Sequence, residues 1–147
     1  MSRLGNASEL IGYGRRALAE AIDYATTRKV GEGVVTDFQG IQWTVADAYA
    51  ELYTASLARD HAATIADAGE DPALATSIAK KVAIDAAERA TSDAFALVGS
   101  YGLYGNTAFG QLMQDVKVYR IAGGSVEVLR NYVARRVLRS DDYEGLR

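Results

Sequence analysis

The stretch Tyr119-Arg120-Ile121-Ala122-Gly123-Gly124-Ser125-Val126-Glu127-Val128-Leu129-Arg130 decides the reading of this chain. An amphipathic run ends at Ile121, a Gly-Gly pair follows, and a second helical run starts after Ser125. Paired glycines let the backbone reach positive φ and approach another group with no Cβ in the way. Ser125 suits an N-cap, and Glu127 falls in the first turn, where a carboxylate complements the positive end of the helix dipole. A helix N-terminus reached through a glycine loop can seat a polar or anionic group of a ligand. The same spacing also describes a plain corner between two helices, and both readings stand on these residues alone.

Working outward, the pattern is helical throughout. Residues 7–29 place Ile11, Leu18, Ile22 and Ala25 on one helical face. Gly12 and Gly14 lie inside that run, where they allow close helix packing or the approach of a ligand, packing being the favoured reading. Lys29 to Gly33 breaks the pattern, and Thr36 or Asp37 can cap a long helix over residues 37–68, which would extend roughly 45 Å. Its stripe is Phe38, Ile41, Val45, Ala48, Leu52 and Ala55, while Trp43 and Tyr49 lie off it, as a second packing face or a subunit contact. Gly69-Glu70-Asp71-Pro72 reads as a stop followed by a capped restart. The third helix, residues 72–98, is expected to turn Leu74, Ile78, Val82 and Ala86 inward. An irregular, glycine-marked stretch runs from Gly99 to Asn106. A short helix over 107–121 then carries Phe109, Leu112, Val116 and Tyr119. The last helix, 125–139, buries Val126, Leu129, Val133 and Val137 and shows Arg130, Arg135, Arg136 and Arg139 on its other face. Pro72 is the sole proline, alanine is abundant, and no stretch alternates like a sustained strand. The expected architecture is an all-α, up-and-down four-helix-type bundle with one extra short helix, a single domain over residues 1–139, and a polar tail over 140–147.

Composition narrows the chemistry. With 147 residues the chain can bury one proper core but not two. A formal net charge of −3, with no cluster of lysines and arginines interleaved with aromatics, argues against a nucleic-acid surface. The absence of cysteine removes disulfides, thiolate catalysis and Cys-ligated metals, and one histidine, His61, is too few for a multi-His site. His61 reads as a solvated surface residue, and Asp85, Glu88 and Asp93 as part of a polar helix face. No membrane-length apolar run or signal peptide is seen, so the default location is the cytoplasm. Residue chemistry alone names no catalytic residue.

Three segments together carry a resemblance: TRKVGEGVVTDFQGIQ (27–42), SDAFALVGSYGLYG (92–105) and YRIAGGSVEVLR (119–130). They resemble the C-terminal helical domain of the acyl-CoA dehydrogenases, whose patterns read ERKxFGxxxxxFQ, DAxQxxGGxG and YxIYEGTSEIQR. The similarity runs without a gap from about Leu4 to Leu138. It implies a bundle that shares FAD with a β domain and with a second subunit, against which the acyl-CoA thioester lies. By position, Arg28 takes the place of the arginine that reaches the FAD diphosphate of a neighbouring subunit. Its guanidinium offers a fork of donors to phosphate. Gln39 matches the FQ glutamine near the same FAD, Gly99 and Ser100 the turn on the adenosine side, and Ser125 the hydroxyl on the flavin side, with Glu127 just beyond it.

The departures carry as much weight. The aromatic of RKxFG is Gly31 here and the next glycine is Glu32, while the DAxQ glutamine is Ala96. The position of the usual catalytic glutamate is Gly123, which cannot remove a proton. The alternative base position on the first helix falls at about Ser2, beside Arg3. The chain also starts where this domain starts, so a flavin-holding β domain is expected from elsewhere. Two functions follow. One is a bundle lending structure and part of an FAD site to an acyl-CoA dehydrogenase-like assembly, as a homo-oligomer or beside a partner subunit. The other is a cofactor-free oligomerisation or scaffolding bundle.

Overall fold

The structure is a computed structural model that describes residues 2–104 and 106–139. Its elements in chain order are α1 (Ser2–Thr27), β1 (Lys29–Val30), β2 (Gly33–Val34), a 3-10 turn (Val35–Asp37), α2 (Gln39–Asp67), α3 (Ala73–Val98), α4 (Tyr101–Tyr104), α5 (Phe109–Ile121) and α6 (Val126–Arg139). The expected all-α bundle is thus observed, while the polar tail (140–147) lies outside the described residues.

The helix α3 is the shaft of the bundle, packing against α1, α2, α5 and α6. Sequence places Leu74, Ile78, Val82 and Ala86 on its inner face, but of these Ala86 alone is fully buried and Ile78 is exposed. The buried face is instead Ala79, Ala83, Ile84, Ala87, Ala90 and Ala94, with Ser77 and Thr91 returning their hydroxyls to the carbonyls of Ala73 and Ala87. Small side chains let several helices approach one axis closely, whereas aliphatic periodicity marks only its flank. Opposite Ala87 stands Gly14 of α1. A Cβ there would come within 2.6 Å of Leu52 Cδ2 and 3.3 Å of Ala87 Cα, so the packing role holds for Gly14. It does not hold for Gly12, around which a Cβ would meet nothing within 4 Å.

On α2 the stripe Ala48, Leu52 and Ala55 is buried, with Ile41 and Val45 half-buried, but Phe38 is exposed. Trp43 (62% exposed) and Tyr49 (65%) are not a second packing face within this chain. Neither Thr36 nor Asp37 caps α2. The Asp37 carboxylate turns back to accept the Val34 N–H at 2.8 Å, closing the antiparallel pair Lys29↔Val34 and Val30↔Gly33. The break at residues 29–33 is therefore a hairpin whose two-residue loop opens on Gly31 (φ 61°), the position where such loops require glycine.

The restart at α3 follows the expected chemistry: Gly69 ends α2 at φ 77°, and Asp71 Oδ1 accepts the Ala73 N–H at 3.0 Å. Thr107 does not cap α5. Its hydroxyl donates to the Gly102 carbonyl, and residues read as irregular form the one-turn α4 instead. Phe109, Leu112 and Val116 are buried as expected. On α6, Val126 and Leu129 are buried, whereas Val133 and Val137 are only half-buried.

The two glycines of α1 yield opposite predictions. Gly14→Val should lower stability by about 1–3 kcal/mol through overpacking. Gly12→Ala should raise it by about 0.5–1 kcal/mol through helix propensity. Urea unfolding followed by circular dichroism checks both, and an unaffected Gly14→Val midpoint would remove the close-packing account.

Candidate functional site

The residues singled out by sequence gather at opposite ends of the bundle. At one end, Arg28 follows directly on α1, and its backbone is pinned on both sides. Its N–H donates to the Tyr24 carbonyl at 2.9 Å and its carbonyl accepts the Val35 N–H at 3.1 Å. The guanidinium is exposed and joins none of the ion pairs found among the described residues. Gln39, the first residue of α2, is also exposed, while Gln42 is tied to the Thr36 carbonyl at 2.9 Å. Gly99 ends α3 at φ 56°, and the Ser100 carbonyl accepts the N–H groups of Leu103 and Tyr104 to start α4. The Tyr101 ring stacks on Tyr24, with centroids 4.7 Å apart and planes 15° from parallel. That stack joins the Gly99-Ser100 turn to the helix end that carries Arg28. A guanidinium held by its backbone and in no ion pair among the described residues presents a fork of donors suited to an anion.

Ser125 and Glu127 stand at the far end, about 39 Å away by the rise of the 26-residue α1. Here α5 stops at Ile121 and the chain turns through Gly123 (φ 68°) and Gly124 (φ 102°), so both glycines use the backbone freedom expected of them. The Ser125 Oγ accepts the Val128 N–H at a long 3.5 Å. The Glu127 carboxyl is held below its ordinary range by its own backbone N–H and by the Ser125 hydroxyl, with Arg120 and Arg130 adding to this. It pairs with Arg120 at 3.7 Å, which in turn holds Glu88 at 2.7 Å. A carboxylate engaged in this way is poorly set up as a proton acceptor.

The residue that organises this turn is one that sequence reasoning missed. Lys80 is completely buried. Its Nζ donates to the Ala122 carbonyl in a short contact and to the Gly124 carbonyl at 2.8 Å. Those two acceptors straddle Gly123. Burial lowers the Lys80 pKa, and the neighbouring Arg3 lowers it further. Arg3 donates to Ser77 Oγ at 2.8 Å and lies over the Tyr132 ring, 5.6 Å from its centroid. Asn6 Nδ2 adds a weak 3.4 Å contact to the Ala122 carbonyl. A Cβ built on Gly123 would run into Asn6 Nδ2 and lie 3.5 Å from Lys80 Nζ. Ser2 starts α1 beside this cluster, and its side chain lies outside the described residues. His61 is exposed, as read from sequence. Among the described residues no His, Asp and Glu cluster could hold a metal, and no helix is long and apolar enough to cross a membrane.

This frame matches known proteins over almost its whole length. The model for "Acyl-CoA dehydrogenase, C-terminal domain" fits residues 1–138. The chain belongs to the acyl-CoA dehydrogenase family. It is similar to the acyl-CoA dehydrogenase FadE12 of Mycobacterium tuberculosis, 35% identical over 138 residues covering 92% of this chain and 36% of that protein. It is likewise similar to the 3-sulfinopropanoyl-CoA desulfinase of Cupriavidus necator, 31% identical over 136 residues, 92% of this chain and 34% of that one. Among solved structures, butyryl-CoA dehydrogenase from Megasphaera elsdenii superposes with a TM-score of 0.90 at 30% identity, covering 93% of this chain and 36% of that chain. The chain thus spans about a third of the length of these acyl-CoA dehydrogenase relatives. The family is one of flavoprotein oxidoreductases.

A pH-dependence follows from Lys80. Its pKa in the fold lies below the usual lysine value of 10.5, so between the two the unfolded chain holds the extra proton. Stability contributed by this group therefore rises with pH across that window. The expected result is a wild-type advantage over Lys80→Met that grows as pH rises towards the ordinary lysine value of 10.5. A pH-independent difference in urea midpoint would contradict the burial-lowered lysine.

Proposed function

We propose that residues 1–139 act as one bundle domain of a flavin-dependent acyl-CoA oxidoreductase assembly, giving it oligomer contacts and part of an FAD site. The observation that carries this reading is Arg28, clamped by its backbone and free of carboxylates among the described residues, within a chain that matches the family's C-terminal domain over residues 1–138. Arg28, Gln39, Gly99 and Ser100 would hold the diphosphate and adenosine side of one FAD. Ser125 and Glu127, at the other end, would face the flavin side of a second. When bound, FAD supplies the electron acceptor for oxidation of an acyl-CoA.

This chain's own residues bind and orient rather than move a proton. Gly123 offers no base, and a side chain in its place would have to displace the Asn6 amide and hold a left-handed backbone. The base would come from a residue outside this sequence, and the flavin-holding partner would be a dehydrogenase-like subunit or a further copy.

A second reading, a cofactor-free oligomerisation or scaffolding bundle, is favoured by one observation. Trp43, Tyr49, Tyr53 and Leu57 leave an apolar band exposed along α2. Such bands on a helix are normally covered by a partner. Size-exclusion chromatography with light scattering and flavin absorbance, with and without the product of the neighbouring reading frame, separates the two. A flavin-bearing complex formed with the neighbour supports the first reading, and a colourless oligomer under both conditions supports the second.

Two substitutions test the roles. Arg28→Ala should lower flavin retention by the assembly roughly 10–100-fold, the size of a charge-assisted hydrogen bond, with helicity unchanged. Unaltered flavin content in that variant would end the diphosphate role of Arg28. Gly123→Glu should cost about 1–2 kcal/mol, since the position needs positive φ, and should bring no acyl-CoA turnover. Turnover by that single variant would overturn the assignment of the base to another residue.

A further inference from the structure

The cluster beneath the Gly-Gly turn is more than packing. Lys80 is fully buried between alanines of α3, and no carboxylate among the described residues pairs with it. Taking an ammonium out of water without an opposite charge is costly. Satisfying carbonyls would not require it, because Ala122 is exposed and Gly124 only half-buried, within reach of water. The lysine also does not neutralise the turn's surroundings, since Arg3 adds a second positive charge. What Lys80 does uniquely is fix direction. By drawing the carbonyls of Ala122 and Gly124 inward it sets the 122–123 and 124–125 peptide planes, which bracket the Gly123-Gly124 pair. Neither glycine resists rotation on its own, so without a clamp this turn has many conformations. The clamp is itself braced: Ser77, one turn before Lys80, holds Arg3 of α1, and Arg3 lies over Tyr132 of α6. A neutral lysine retains two N–H donors for the two carbonyls, so the clamp persists in either protonation state.

We propose that Lys80 is a positioning residue for the turn at Gly123, fixing how residues 123–125 and the Ser125 hydroxyl are presented to a ligand. The proposal rests on the reading above for the ligand's identity, as the flavin and acyl thioester, but not for the clamp itself. Lys80 touches no ligand and acts through the turn.

The absence of cysteine from the chain allows a direct chemical test. In isotope-labelled full chain, Lys80→Met should keep its helicity while the amide and carbonyl resonances of residues 122–125 shift and broaden. Lys80→Cys should do the same. Alkylating that single thiol with bromoethylamine during refolding recreates a lysine-like amine, and should return those resonances to their wild-type positions. Unmoved turn resonances in Lys80→Met, or no recovery in the aminoethylated chain, overturns the proposal. Lys80→Gln, shorter but still able to donate, is the second variant. If neither it nor Lys80→Met folds, the role is structural and the proposal fails. Flavin content of the assembly is read separately. A turn that moves in Lys80→Met with flavin content and spectrum unchanged upholds the clamp and removes the flavin-facing assignment of this end.

Discussion

Four helices can share one partner only if that partner is thin, and α3 is thin because its inner face is alanine. Ala79, Ala83, Ala87, Ala90 and Ala94 are all fully buried, and Gly14 of α1 brings that helix to the Cα of Ala87. The bundle therefore gains its cohesion from short interaxial distances and close contact more than from large aliphatic side chains. The consequence for function is geometric. A rigid shaft of 26 residues separates the two ends and fixes their distance, so Arg28 at one end and Ser125 at the other cannot meet on one small ligand. On the proposed reading, each end of the bundle would serve its own site.

The same shaft delivers charge to the turn at Gly123. The Lys80 side chain leaves a face otherwise lined by alanine and ends on two backbone carbonyls, an arrangement that trades solvation for direction. The surface charges behave differently. Glu88 with Lys117 and Arg120, and Arg89 with Asp47 and Glu51, link neighbouring helices at the solvent boundary, and Arg89 also pairs with Asp93 within α3, each pair contributing little.

Much of the fold was legible because local chemistry decided it. Asp71 and Pro72 start α3, Gly69 ends α2, and the Gly123-Gly124 pair turns the chain, as their residue types require. The candidate contacts were legible in position but not in grouping: that Tyr24 would stack on Tyr101, joining the Arg28 end to Gly99 and Ser100, depends on residues 77 apart in sequence. The hairpin at residues 29–34 did carry a signal, a glycine opening a two-residue loop, but each strand is only two residues long and shows no alternation. The α3 face was misread because aliphatic spacing is the stronger pattern in the sequence, while alanine packs wherever neighbouring helices come closest.

Sequence by itself determined the long helices, the glycine stops between them and the resemblance to the family, since these follow from local backbone preference and from residue motifs. Tertiary structure alone decided what Lys80 is. In the chain it stands next to Lys81, and the two look alike as members of a polar helix face. Successive helical residues point about 100° apart. Lys81 therefore reaches solvent and pairs with Asp85 at 2.6 Å, while Lys80 turns into the core and meets a loop 42 residues away. No local rule separates the two lysines, because the acceptors that give one of them its place exist only after α5 and α6 have packed.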